Sequence, residues 1–202
     1  MARASGIDLE LIEAASANDV ARLRDLLKRG ARVNARDARQ RTALLTAVEQ
    51  GHAEAARVLV EAGADVNAQD NKKDSPFLLA GARGDVAILK ILVPAGPDFT
   101  KVNRYGGSAL IPAAERGHVE AVKFLIKAGA PVDHVNRLGW TALLEAILLS
   151  DGGPRHVKIV KALIEAGADV NLPDGDGVTP LAHARARGHG ETARLLEAAG
   201  AR

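Results

Sequence analysis

The sequence predicts an all-α chain, a solenoid of stacked helix–turn–helix units with projecting β-turn loops between them. Three observations predict it. The strings GARVN (30–34), GADVN (63–67), GPDFT (96–100), GAPVD (129–133) and GADVN (167–171) are copies of one motif, and their starting glycines lie 33, 33, 33 and 38 residues apart. A fixed period of this length marks a repeat architecture. Upstream of each copy, in constant phase, stands a second shared string: TALLTAVEQGH (42–52), SPFLLAGARGD (75–85), SALIPAAERGH (108–118), TALLEAI (141–147) and TPLAHARARGH (179–189). Hydrophobic residues make up 47% of the chain but aromatic ones only 2%. Ala, Leu, Val and Ile must therefore build the interior, which suits thin layers of small helices better than one large core filled with rings.

The elements follow in order. Residues 5–36 form a truncated amino-terminal cap, whose second helix is made polar by Arg22, Arg24, Asp25, Lys28 and Arg29. A terminal unit needs such a face because no neighbour covers it. Full repeats run over 37–69, 70–102, 103–135 and 136–173. In each, a Thr or Ser (Thr42, Ser75, Ser108, Thr141) supplies an N-cap oxygen ahead of an apolar helical run. Gly51, Gly84 and Gly117 end the first helix as left-handed caps. His52, Asp85 and His118 open the second helix, and Gly63, Gly96, Gly129 and Gly167 close it. The carboxy-terminal cap, 174–202, repeats the scheme with Thr179, Pro180, Gly188 and His189, and its outer face carries Arg185, Arg187, Glu191, Arg194 and Glu197. The whole is expected to be a single domain of about six units.

Several residues break the pattern. Pro112 falls inside a predicted first helix, where it forfeits a hydrogen bond or kinks the helix. Pro94 and Pro97 interrupt the end of the preceding repeat, and Glu145 sits in the middle of an apolar helix. Ser150–Pro154 accounts for the five extra residues of the repeat at 136–173 and is expected to form a loop between its two helices. Departures concentrated in one region are where function or strain is expected.

The 33-residue period, the T-P-L-H-x-A-like start, the central Gly-His and the closing G-A-D-V-N together resemble the ankyrin repeat, from about Leu9 to Ala201. The segments SPFLLAG, NRYGG, LGWTALLEA and DGG are similar to those of stand-alone bacterial ankyrin proteins. The resemblance implies that a partner contacts the loop tips and the exposed side of the first helices. Carried onto this chain, the tip positions are Arg39, Arg41, Lys72, Asp74, Arg104, Tyr105, Arg137, Leu138 and Trp140. The adjoining helix positions are Glu115, Arg116, Leu148 and Leu149.

Catalytic and metal chemistry find little support. There is no cysteine, hence no disulfide, thiolate ligand or cysteine nucleophile. His52, His118 and His189 recur in register with the fold, which marks them as structural. No other histidine completes a zinc-type cluster. No G-x-S-x-G elbow surrounds a serine. The D-G-D-G at 174–177 lacks the downstream ligands of a calcium loop. NRYGG at 103–107 follows no strand and lacks the P-loop lysine. The chain is expected to be no enzyme and to need no metal or cofactor.

With 27 basic and 25 acidic residues the formal charge is +2, too balanced to call for nucleic acid or a membrane. The amino-terminal stretch lacks the apolar core of a signal peptide. No run approaches the length of a transmembrane helix. A monomer in the cytoplasm is the expectation.

The functional reading is a non-catalytic scaffold that binds another protein of acidic or mixed surface, with Tyr105 and Trp140 as anchors, since aromatic and arginine side chains dominate interface energies. On this reading Trp140→Ala weakens binding by about 2 kcal/mol and spares the fold. The alternative is a ligand pocket near Tyr105, Trp140, Glu145 and the Asp151–Pro154 loop.

Overall fold

A computed structural model describes residues 5–202; the first four residues, part of the stretch read above for a leader, lie outside the described residues. Among the described residues there are twelve α-helices and no β-strand. No helix among them is long and apolar enough to cross a membrane.

The chain divides into two compact units, one comprising residues up to Ala80 with Asp85–Arg104, the other Gly81–Gly84 with Tyr105–Arg202. Unit 1 contains α1 (Gly6–Ser16), α2 (Val20–Lys28), α3 (Ala43–Gln50), α4 (Ala53–Glu61), α6 (Val86–Leu92) and the start of α5 (Pro76–Arg83). Unit 2 contains α7 (Leu110–Glu115), α8 (Val119–Lys127), α9 (Ala142–Leu148), α10 (Pro154–Glu165), α11 (Pro180–Ala186) and α12 (Gly190–Ala198).

Within each unit, first helices pack on first helices and second on second: α1 on α3 and α2 on α4 on α6 in unit 1, α7 on α9 on α11 and α8 on α10 on α12 in unit 2. The buried faces are aliphatic, with Leu23, Leu26, Leu44, Leu45 and Leu59 closed off in unit 1 and Leu125, Leu144, Val160 and Leu163 in unit 2. Each such side chain contributes about 1.5–3 kcal/mol when removed from water. Unit 1 adds one ring pair, Phe77 edge-on to Phe99 with centroids 5.2 Å apart.

The caps form largely as the residue types require. Oγ1 of Thr42, Thr141 and Thr179 and Oγ of Ser75 accept from the N–H three residues on. Ser108 does not. Its buried Oγ has no partner, and α7 begins at Leu110 instead. Pro112, whose ring nitrogen has no hydrogen to return to the Ser108 carbonyl, removes the bond that would start the helix there, and α7 opens one residue late with Ala109 already in the right-handed region. Pro94 has a milder effect, turning the end of the α6 run into a short 3₁₀ segment, Val93–Ala95.

The closing Asn of the repeated motif has a structural duty. Asn34 accepts from Asp65 N (2.8 Å) and donates to the Gly63 carbonyl (3.3 Å), and Asn67 does the same with Asp98 N and the Gly96 carbonyl. Asn171 accepts from Arg202 N at 2.9 Å. Asp133, lacking donors, only accepts from Asp169 N. The amide matches both polarities of the next copy's turn, which explains its recurrence.

The five inserted residues do not all enter a loop. The connection between first and second helix grows from two residues to five, and the second helix from nine residues in α4 to twelve in α10. The lengthened helix carries His156, whose ring Nε2 sits 2.9 Å from the Glu115 carbonyl. In unit 1 His52 Nε2 sits 3.1 Å from the Ser16 carbonyl in the same way. His156 therefore takes the place of the missing Gly-His histidine, a role that its position in sequence concealed.

Candidate functional site

The turn loops are built from one residue outward. Asp37 accepts from the N–H groups of Arg39 (2.8 Å) and Arg41 (2.9 Å) on a single oxygen. Asp70 does so with Lys72 and Asp74, Asn136 with Leu138 and Trp140, and Asp174 with Asp176 and Val178. The backbone closes the same turn, as in Asn136 N to the Trp140 carbonyl at 3.0 Å. This short side-chain-anchored turn puts the second residue after the Asp or Asn at the tip and the fourth back at the stem.

The expected tip residues consequently separate into two sets. Arg39, Lys72 and Leu138 are exposed tips, as is Tyr105. Arg41, Asp74 and Trp140 are stem residues, each partly buried. Arg41 is spent on Asp37 (Nη2 to Oδ2, 2.8 Å) and Glu49 (3.1 Å). Asp74 is pushed above the usual carboxylate range by burial and by Asp70. Trp140 is thus not the loop-tip ring anticipated. In unit 2 the exposed apolar tips are Tyr105, at 58% exposure, and Leu138, at 59%. Their two loops are joined by a hydrogen bond from Arg137 N to the Tyr105 carbonyl (3.0 Å), and His134 Nε2 sits 2.7 Å from the Gly106 carbonyl. Arg137 and Arg104 are themselves exposed.

On the first helices, Leu148 is buried and presents no surface, whereas its neighbour Leu149 is 49% exposed. Arg116 gives Nη1 to the Ala82 carbonyl at 2.8 Å, and Glu115 is partly buried. Glu145, proposed to line a pocket, is only 5% exposed and accepts from Asn136 Nδ2 at 2.7 Å. Burial, then the Glu115 charge, raise its carboxyl to about 7 against the pull of the Asn136 bond. Asp151 is exposed, and its Oδ1 accepts from Gly153 N at 2.8 Å, bracing the turn into α10. A shallow depression of about 290 Å³ lies away from both, between α8 and α10, beside Lys123, Ile126, Ala162 and Glu165. No grouping of three metal-ligating side chains exists among the described residues.

Sequence reasoning counted Lys73 among the basic tips but passed over Gln40 and the backbone the two share. Both are exposed and have left-handed backbones, φ 63° and 61°. Aligning the copies by their cap residues would have found them, because Gly106, Gly139 and Gly177 occupy the same position elsewhere.

Ankyrin repeats (3 copies) is the family model that matches residues 11–103 and 77–174, and a second model of ankyrin repeats (many copies) matches 154–197. The chain belongs to the ankyrin repeat family. It is similar to the crystal structure of an ankyrin repeat domain from Acinetobacter baumannii AYE, at 52% identity over 96% of this chain and 98% of that one, with a TM-score of 0.94. A second similar structure is EF0377, an ankyrin repeat protein, at 40% identity over 93% and 96% of the two chains, with a TM-score of 0.89. The ankyrin repeat domain of Bcl-3, a member of the IkappaB protein family, is 25% identical over 95% of this chain and 86% of its own, with a TM-score of 0.85. Among the curated proteins none matches the chain. The all-α ankyrin solenoid is therefore the fold class, and repeats of this family are in general protein–protein interaction modules of typically non-catalytic fold.

Proposed function

We propose that the chain is a non-catalytic scaffold that holds another protein against its loop tips and the exposed side of its first helices. The observation that carries this reading is the pairing of Tyr105 and Leu138, two large apolar side chains more than half exposed on loops joined by the Arg137–Tyr105 bond. Leaving such side chains in water is unfavourable, and holding them on hydrogen-bonded turns reduces the ordering cost of binding. Arg104 and Arg137 immediately precede them in the chain, and Leu149, the residue after α9, is a further exposed apolar side chain. Trp140, at the stem, supports the Leu138 turn. The partner offers an apolar patch edged by acidic or mixed charge.

The test is capture of partners by the wild type and by a Tyr105→Ala/Leu138→Ala double variant, followed by titration with whatever protein is retained. The double variant is expected to lose about 2 kcal/mol or more of affinity with an unchanged melting temperature. Equal capture by both proteins would overturn the reading.

A further inference from the structure

At the residue before the stem, the turn-loop backbone is left-handed in every copy: Gln40, Lys73, Gly106, Gly139 and Gly177. A residue with a Cβ is strained there relative to the right-handed region, and glycine is not. At two of the three unit 2 positions close packing also favours glycine, since a Cβ on Gly106 would lie 2.9 Å from Cγ of Arg137 and one on Gly139 only 2.7 Å from Gly175 N, whereas Gly177 faces open space. Unit 1 instead keeps two long polar side chains at this strained position. Its turns are braced to hold them: Arg36 Nη1 donates to the Gln40 carbonyl (3.1 Å) and Gln69 Nε2 to the Lys73 carbonyl (2.7 Å). Strain that persists under such bracing points to a use for the side chain.

The chemistry of that use is legible in the neighbours. Arg39, Lys72 and Lys73 are exposed, and none belongs to an ion pair among the described residues. Of the nearby carboxylates, Asp37 and Asp70 are held within their own turns, while Asp74, partly buried at the stem, feels the Lys72 charge. Asp37 is held by Arg41 and two N–H groups, and Asp70 by two N–H groups. The two loops are tied by Asn71 N to the Arg39 carbonyl at 3.2 Å, so the three cations and the Gln40 amide stand on one hydrogen-bonded platform.

We propose that the Arg39–Gln40 and Lys72–Lys73 turn tips of unit 1 form a docking site for an Asp/Glu-rich segment of a partner protein. Carboxylates make charge-assisted hydrogen bonds to a guanidinium and two ammonium groups, and the Gln40 amide adds a neutral donor. Nucleic acid fits less well: no aromatic side chain stands among these residues to stack a base, and three cations neutralise too short a track of phosphates. The proposal rests on the scaffold reading but uses residues separate from Tyr105 and Leu138.

Fluorescence anisotropy with a short Asp/Glu-rich peptide, its Asn/Gln counterpart and a single-stranded oligonucleotide of equal charge tests it on the whole protein. The acidic peptide is expected to bind, the neutral one not, and the oligonucleotide more weakly. Lys73→Gly should weaken the peptide by about fivefold while the melting temperature holds or rises, since glycine relieves the turn. Arg39→Ala/Lys72→Ala should weaken it further. Unchanged affinity in these variants, tighter binding of the oligonucleotide, or a fall in melting temperature for Lys73→Gly would each overturn the proposal. The Tyr105→Ala/Leu138→Ala variant should keep the acidic peptide. Loss of partner capture in that variant, with none in the basic-tip variants, would leave the scaffold reading standing and remove this one.

Discussion

Asn136 donates from Nδ2 to Glu145 Oε1 at 2.7 Å, joining the base of a turn loop to the first helix that follows it. Asp174 and His183 occupy the same two positions in the next copy, with Oδ2 and Nε2 also 2.7 Å apart. The polarity is exchanged: loop donor and helix acceptor in one, loop acceptor and helix donor in the other. A buried carboxylate without such a partner would cost several kcal/mol. The carboxylate in the apolar run LLEAILL is therefore one half of a pair, whose other half in this copy is Asn, as at Asn103, where Asp37, Asp70 and Asp174 stand in the other copies.

The pair makes stability depend on pH. The Glu145 carboxyl is raised from its usual value of 4.5 to about 7 in the folded chain, so the folded state binds more protons than the unfolded state between these values. Stability is thus highest below the unfolded value and falls as pH rises through the folded one. Glu145→Gln removes the titration and keeps an acceptor for Asn136. At pH 8 it should be more stable than wild type by about 3 kcal/mol, with the gap closing toward pH 4.5 in thermal melts. Parallel pH profiles would contradict this.

Asp8 acts in the opposite sense. It is buried, which alone would raise its carboxyl, but bonds from Arg32 (N at 2.8 Å, Nη2 at 2.7 Å) and Ser5 outweigh burial and hold it well below the usual range. Its contribution is present above the unfolded value and is lost as pH falls through the folded one. Asp8→Asn should cost about 2 kcal/mol at neutral pH and flatten the acid limb of a stability profile. An unchanged acid limb would show that other carboxylates govern it.

The caps offer a contrast within one motif. Thr141 Oγ1 accepts from Leu144 N, while Ser108 Oγ is buried without a partner. Thr141→Ala should cost about 1 kcal/mol, whereas Ser108→Ala should be neutral or stabilising because it removes an unsatisfied polar atom. Urea midpoints of the two variants measure the difference. Equal losses would mean that Ser108 caps α7 after all.

Trp140 separates packing from binding. Its partial burial at the stem predicts that Trp140→Ala lowers the melting temperature of the free protein, whereas Tyr105→Ala and Leu138→Ala do not. A Trp140→Ala protein that melts like wild type and fails to capture partner would restore the ring to the interface.

The repeat, the helix pairs and most caps could be read from residue types alone, because Gly, Pro, Thr and alternating aliphatics act locally and at fixed spacing. Even Pro112 announced a disturbed helix, though not that the damage would fall on Ser108. The interaction surface was legible only as a set of loops. Asp, Asn and Arg side chains decide which loop residue is tip and which is stem through bonds to nearby backbone, and that demoted Trp140, Arg41 and Asp74 while leaving Tyr105 and Leu138 outermost.

By itself the sequence determined the period, the helical content and the aliphatic interior, since each follows from interactions between residues a few positions apart. Only the tertiary structure decided the pairing of Asn136 with Glu145, the substitution of His156 for a missing histidine, and the left-handed backbone held at Gln40 and Lys73. Those depend on which groups the folded turns and the stacked helices bring within hydrogen-bond reach of one another. That reach is set by the folded turn and by the stacking of repeats, and spacing along the chain alone does not reveal it.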